Sequence, residues 1–313
     1  LLKNSSWNRK PKSIYWRNKE SYMKIIKYFF EFISIISLFC IFRIIGLSNA
    51  SYLGSIMGRV IGPLFRSKNI IKQNIKNGLG EVDKKRETEI INGMWSNIGR
   101  TFAEYVFLKD FKFNKTNFDH IKINGTNYLN EIKNNNEPAI FYSGHFANFE
   151  LMAMELDKFG IKCAAIYRPL NNFFLNPLME YLRMKYICPN QIPKGRMGMR
   201  EIISKVKDGY SIALMVDQRV SEGPRTPFFN KPAHTTTIPA QLALKYNCKL
   251  VPISLERKEG PNFEMTIHEP YKIEKTGNDE EDTKNITLKI NQIIEKMIIT
   301  NPKQWIWSHN RWK

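Results

Sequence analysis

Residues 28–47, YFFEFISIISLFCIFRIIGL, form an apolar run about as long as the hydrocarbon layer of a bilayer, interrupted only by Glu31 and Arg43. A run of this length must be covered by protein or meet lipid. Ser48-Asn49-Ala50 loosely matches a small-x-small cleavage site, but the apolar stretch exceeds the usual core of a signal peptide, so a retained anchor is expected. The two charges leave two placements open: a helix that spans, or one that lies in the interface with Glu31 and Arg43 turned to headgroups or to the rest of the protein. The anchor helix is expected over residues 23–50, preceded by a basic, poorly ordered extension over 1–22.

The chain has 313 residues, enough for one large domain over 51–313 with a sizeable core. Lys and Arg outnumber Asp and Glu by 48 to 29, a net charge of +19 that suits anionic lipid, phosphorylated substrates, acidic proteins or nucleic acid. Charge alone does not choose among them. Cys40, Cys163, Cys188 and Cys248 are far apart and form no C-x-x-C pair, which argues against a zinc ribbon or a dithiol redox site.

From 51 to 113 the apolar residues recur at three and four, a helical texture. From 114 to 313 short β-rich runs alternate with amphipathic stretches. EPAIFYSG, KCAAIYR, SIALMVD, KLVPISLER and FEMTIHE read as strands, and NFELMAMELDKFG, NPLMEYLRMKY, MREIISKVKDG and PAQLALKYN read as helices. Such alternation predicts an α/β fold with a mixed, largely parallel sheet flanked by helices. Residues 283–300 read as a last helix, stopped by Asn301-Pro302.

The candidate site lies in AIFYSGHFANFE, residues 139–150. Positions five apart share no helix face, so His145 and Glu150 would not meet inside one helix. A strand ending at Gly144, with Asn148 as N-cap of the next helix, places His145 in the connecting turn and Glu150 in the first helical turn. The carboxylate is then expected to reach back to the imidazole, fix its tautomer and leave the other ring nitrogen to take a proton from an alcohol. Dipole complementation by Glu150 is the plainer alternative.

GHFANFE resembles the H-x₄-D/E signature of glycerolipid-type acyltransferases. Its surroundings are similar to those of the lipid A late acyltransferases, the lauroyl and myristoyl transferases of bacterial inner membranes. The resemblance runs from the apolar anchor through NGTNYLNEIKNNNEPAIFYSGHFANFE, IYRPLNN, GRMGMREIISKVKDGYSIALMVDQR and PFFNKPA to QWIWSHNRWK. It implies transfer of a fatty acyl group from acyl carrier protein to a hydroxyl of a phosphorylated, Kdo-bearing lipid A precursor. Catalysis would occur at the cytoplasmic face of the inner membrane, with His145 and Glu150 as the catalytic dyad. Because the thioester is already activated, neither metal nor organic cofactor is expected.

Arg168, at the end of a strand, is expected to grip a phosphate or assist the oxyanion through its donor fork. Asn148, Asp217, Gln218 and Arg219 are further expected substrate-binding residues, the last three because they end SIALMVD and should open onto the same sheet edge as His145. Trp305, Trp307, Arg311 and Trp312 read either as interfacial anchors or as core. An acyltransferase for another membrane glycolipid or a lysophospholipid is the nearest alternative. A nucleic-acid-binding protein would explain the charge but not the His-Glu pair. A metal-dependent hydrolase lacks its two-histidine spacing.

Overall fold

A computed structural model describes residues 14–113 and 120–313. Helix α1 (Ile14–Ile45) contains residues 28–45 of the apolar run, and Gly46, with a φ of +82°, turns the chain into α2 (Leu47–Phe65). α3 (Lys68–Leu79), α4 (Lys84–Glu104), a 3₁₀ turn at Tyr105–Phe107 and α5 (Leu108–Phe113) follow. The start of α4 is fixed by Asp83, whose side chain accepts from the Arg86 N–H, one of the donors a helix start leaves unpaired.

The crossing of α2 over α4 depends on glycine. A Cβ at Gly54 would lie 2.4 Å from the Gly99 carbonyl oxygen, and one at Gly99 would lie 2.0 Å from that of Gly54. Only hydrogen atoms fit between these backbones.

The sheet is built from β1 (Ile121–Asn124), β2 (Ala139–Ser143), β3 (Cys163–Tyr167), β4 (Asn190–Pro193), β5 (Ser211–Met215), β8 (Lys249–Arg257) and β9 (Phe263–Ile267), while β6 (Arg225–Phe228) and β7 (Lys231–His234) form a separate antiparallel hairpin. Strand order is β1-β9-β8-β2-β5-β3-β4. The five strands from β8 to β4 are mutually parallel, and β9 runs antiparallel to β8 with β1 parallel to β9. β2, at the centre, is buried along its whole length, as expected of a strand covered on both faces. The covering helices are α6 (Thr126–Asn135), α7 (Glu150–Lys158), α8 (Asn176–Leu182), α9 (Arg196–Lys207), α10 (Ile238–Tyr246) and α11 (Asp279–Thr300).

The fold is therefore the α/β architecture read from the sequence. Of the extension expected over 1–22, residues 1–13 lie outside the described residues, and from Ile14 the chain is helical and continuous with the anchor. Of the two readings of the tail, core is the one found: Trp305, Trp307 and Arg311 are fully buried, and Trp312 is partly buried against the same cluster.

Behind the sheet edge a buried ion pair joins α4 to the end of β8. The two oxygens of Glu104 accept from the guanidinium of Arg257, and they also accept from the Ser51 hydroxyl at 2.8 Å and the Asn148 amide at 3.1 Å. Both charges are almost inaccessible. Removing one partner strands the other charge, so Glu104→Ala is expected to destabilise the folded protein by about 3–5 kcal/mol. Denaturant unfolding of the detergent-solubilised variant measures this; a loss under about 1 kcal/mol would contradict it.

Candidate active site

The parallel strands β2, β5, β3 and β4 end side by side, and the segments that follow them carry His145, Asp217, Arg168 and Lys194 respectively. Neighbouring strands are about 4.8 Å apart, so this edge acts as a ruler, with Asp217 beside His145 and Arg168 about 10 Å from it.

His145 sits in the turn between β2 and α7. Its Nδ1 lies 2.7 Å from Asp217 Oδ1, and its backbone N–H donates to Asp217 Oδ2 at 2.9 Å. The same Oδ2 accepts the indole N–H of Trp305 at 2.8 Å. Burial opposes a charge on Asp217, but the imidazole, the backbone N–H and the indole N–H outweigh it and hold the carboxyl at about 2. An ionised Asp217 accepts only, so this contact calls for a proton on Nδ1, and in a neutral imidazole the lone pair is then on Nε2. Nε2 lies 3.2 Å from the Gln218 amide nitrogen, in a side chain that keeps 16% of its surface open.

The turn is tight and strained. Gly144 leaves no room for a side chain, because a Cβ there would lie 2.7 Å from the Phe146 ring and 3.3 Å from Asp217 Cγ. Ala147 has a φ of +46°, a left-handed conformation that costs a non-glycine residue about 1–2 kcal/mol. It is held there from outside: Asn97 and Thr101 of α4 both donate to its carbonyl at 3.0 Å, and its N–H donates to the Gln304 carbonyl.

The dyad geometry differs from the sequence expectation. Glu150 does begin α7, but its carboxylate accepts from Arg183 Nε and Nη2 at 3.1 and 2.7 Å and from the Tyr105 hydroxyl. The carboxylate on the imidazole is Asp217, and Glu150 instead ties α7 to the π turn at Arg183–Ile187 and to the end of α4. Asn148 is not a cap either. Its amide donates to Glu104, its side-chain oxygen is buried without a partner, and α7 starts without a side-chain cap. It faces the support, not an open pocket.

Gln218 and Arg219 are half-buried: the Gln218 amide faces His145 Nε2, whereas the Arg219 backbone N–H is bonded to His309 Nε2 at 2.9 Å and its Nε is buried without a partner. Arg168 is exposed, with no hydrogen bond or ion pair among the described residues. Beside it, burial and the like charge of Arg168 push the Lys194 ammonium down. Sequence reasoning missed Lys194, Trp305, His309, Arg183 and Tyr105. Only Lys194 carried a signal, since it follows a short run ending at Pro193.

At the carboxyl edge of the parallel sheet, where α/β folds place their ligands, stands an imidazole held by a carboxylate at Nδ1 and met at Nε2 by the Gln218 amide. The family of bacterial lipid A biosynthesis acyltransferases matches residues 17–313, and the chain belongs to that family. Among curated relatives it is similar to a lipid A biosynthesis acyltransferase of Haemophilus influenzae, 28% identical over 200 residues that cover 61% of this chain and 60% of the relative. It is also similar to a lipid A biosynthesis lauroyltransferase of Escherichia coli, 25% identical over 197 residues that cover 60% of each. The chain thus spans about 60% of the length of the curated relatives it matches.

The site sets one acid limit of the fold. Burial is the main cause that pushes His309 down to about 4 from 6.5, and the neighbouring cations Arg311 and Arg66 add to it. The unfolded chain binds a proton at His309 at higher pH than the folded chain does, so the stability this neutral imidazole contributes is present above about 6.5 and lost as pH falls towards 4. Thermal unfolding between neutral pH and about 4.5 is expected to show a smaller acid loss in His309→Gln, which keeps an acceptor for Arg219 but cannot titrate. Equal slopes in both proteins would contradict the assignment.

Proposed function

We propose that this chain transfers a fatty acyl group from acyl carrier protein to a hydroxyl of a phosphorylated, Kdo-bearing lipid A precursor at the cytoplasmic face of the bacterial inner membrane. The observation that carries the reading is the His145 imidazole, with Nδ1 fixed by Asp217 and Nε2 directed to the open edge. Family membership supplies the substrate class.

His145 Nε2 removes the proton of the acceptor hydroxyl as its oxygen attacks the thioester carbonyl. Gln218 marks the place the hydroxyl would take, and its amide turns aside when the hydroxyl arrives. A C–O bond forms, the resulting oxyanion collapses, the C–S bond breaks, and the imidazolium returns its proton to the departing carrier thiolate. Asp217 positions the imidazole and stabilises its cation without taking the proton itself.

The N–H groups of His145, Phe146 and Ala147 are already bonded to Asp217, Gly144 and Gln304. Donors at the start of α7 are therefore the better oxyanion stabilisers. Arg168, about two strand spacings away, suits an acceptor phosphate, and Lys194 beside it suits the same anion. Glu150 acts at one remove, by locking α7 and its first turn against Arg183 and Tyr105. The basic surface suits an acidic carrier protein and an anionic acceptor alike.

The test is mass spectrometry of lipid A from the source bacterium with the gene deleted and then complemented. Deletion is expected to lower the mass by one acyl chain. Wild-type protein should restore it, whereas His145→Ala and Asp217→Asn should fail, each losing roughly 10²–10⁴ in purified acyl transfer. Unchanged lipid A together with a loss of acyl chain from another membrane lipid would assign the enzyme to that lipid. A His145→Ala protein with more than about a tenth of wild-type transfer would overturn the general-base role.

A further inference from the structure

The apolar helix α1 is long enough to cross a bilayer by length and composition. Its contacts, however, run along its side. Phe32, Ile35, Phe39, Phe42 and Ile45, spaced at three and four, face the domain core, while Ile26, Phe30, Ile33, Ile41 and Ile44 are exposed on the opposite side.

Both charges inside the apolar run are held by the catalytic domain. The Asn172 amide, buried, donates to the Tyr28 carbonyl at 2.9 Å and to Glu31 Oε2 at 3.2 Å. Phe173 and Phe174 stack edge-on against Tyr28 and Phe29. Towards the other end, Arg43 forms an ion pair with Asp110 and lies over the Phe107 ring at 5.1 Å. Glu31 and Arg43 are about 18 Å apart along a helix rising 1.5 Å per residue.

If α1 stood upright across the membrane, one folded domain would have to follow it through most of the hydrocarbon. The irregular segment from Arg168 to Leu175 would go with it, and lipid-exposed irregular backbone is not tolerated at that depth. Lying in the interface, the same helix keeps all of these contacts and turns its free apolar side to the acyl chains.

A second surface continues this one. The end of α2 leaves Val60, Leu64 and Phe65 exposed by 69%, 82% and 78%, while the other side of α2 packs on α4. Between Glu31 and Glu81 the chain has no carboxylate but has Arg43, Arg59, Arg66, Lys68, Lys72 and Lys76. Arg43, Lys72 and Lys76 are paired with Asp110, Glu87 and Glu81, whereas Arg59, Arg66 and Lys68 are in no ion pair among the described residues, and an apolar surface flanked by these cations matches an anionic leaflet.

Resting on the membrane-associated reading above, we propose that α1 does not cross the bilayer: it lies along the catalytic domain in one leaflet, and with the exposed end of α2 it forms a single face for anionic lipid. The exposed Leu170 and Phe173, on the loop that starts at Arg168, adjoin this face. The acceptor therefore reaches the sheet edge sideways out of the leaflet.

The test uses the full chain with an epitope at each terminus, expressed in bacterial membranes and exposed to protease in spheroplasts and in inverted vesicles. Both epitopes are expected on the same side; an N-terminal epitope on the opposite side overturns the proposal. Purified protein is then sedimented with vesicles of phosphatidylethanolamine and phosphatidylglycerol. Leu64→Asp/Phe65→Asp is expected to bind at least about tenfold more weakly. Equal binding by this variant removes α2 from the face, and no binding by wild-type protein overturns the membrane reading itself. A dimer cross-linked through the exposed Cys40 that persists in vesicles would give the face to a second copy of the chain and overturn the lipid assignment.

Discussion

One carboxylate organises the site. Asp217 holds the imidazole and the backbone of His145 with its two oxygens and takes the indole N–H of Trp305 as well. Three distant parts of the chain therefore meet at one charge: the end of β5, the turn after β2 and the C-terminal tail. A buried carboxylate is costly unless its acceptor sites are filled, and here three N–H donors fill them. The same bonds that make the charge tolerable set the direction of the imidazole. Stability of this corner and the tautomer of His145 are thus a single property.

The support behind the turn follows the same logic. Ala147 is kept in its left-handed conformation by Asn97 and Thr101, and Asn97 is itself bonded to Arg257, the partner of Glu104. Helix α4 can deliver these groups only because glycines let α2 press against its other side. The N-terminal helices are for this reason part of the catalytic scaffold. Helix α1 belongs with them, since Glu31 is bonded to Asn172 and Arg43 to Asp110 of the domain.

Much of this was legible in the sequence. AIFYSG is an apolar run ending at turn residues and KLVPISLER contains the apolar run LVPI, and they became the neighbouring strands β2 and β8. The turn position of His145 followed from Gly144 and the helix after it. The carboxylate that meets the imidazole was not legible, because Asp217 is brought to His145 only by the adjacency of β5 and β2. Glu150, close in sequence, is drawn off by Arg183 in a π turn and Tyr105 in a 3₁₀ turn, neither of which a local pattern announces. β6 and β7 were missed because Pro227 and Pro232 remove ladder donors, which a two-stranded hairpin tolerates. β1 and β4 are short and half-exposed, with too few residues to show a period.

The central claim is that Asp217 holds His145 in the neutral form that carries its proton on Nδ1, leaving Nε2 as the base. Nitrogen-15 spectroscopy of histidine-labelled protein in detergent, with His145→Gln to assign the signal, reads this directly. The account predicts a protonated Nδ1 and an unprotonated Nε2 at neutral pH, with that preference lost in Asp217→Asn. A proton resident on Nε2, or a tautomer indifferent to Asp217→Asn, would contradict it.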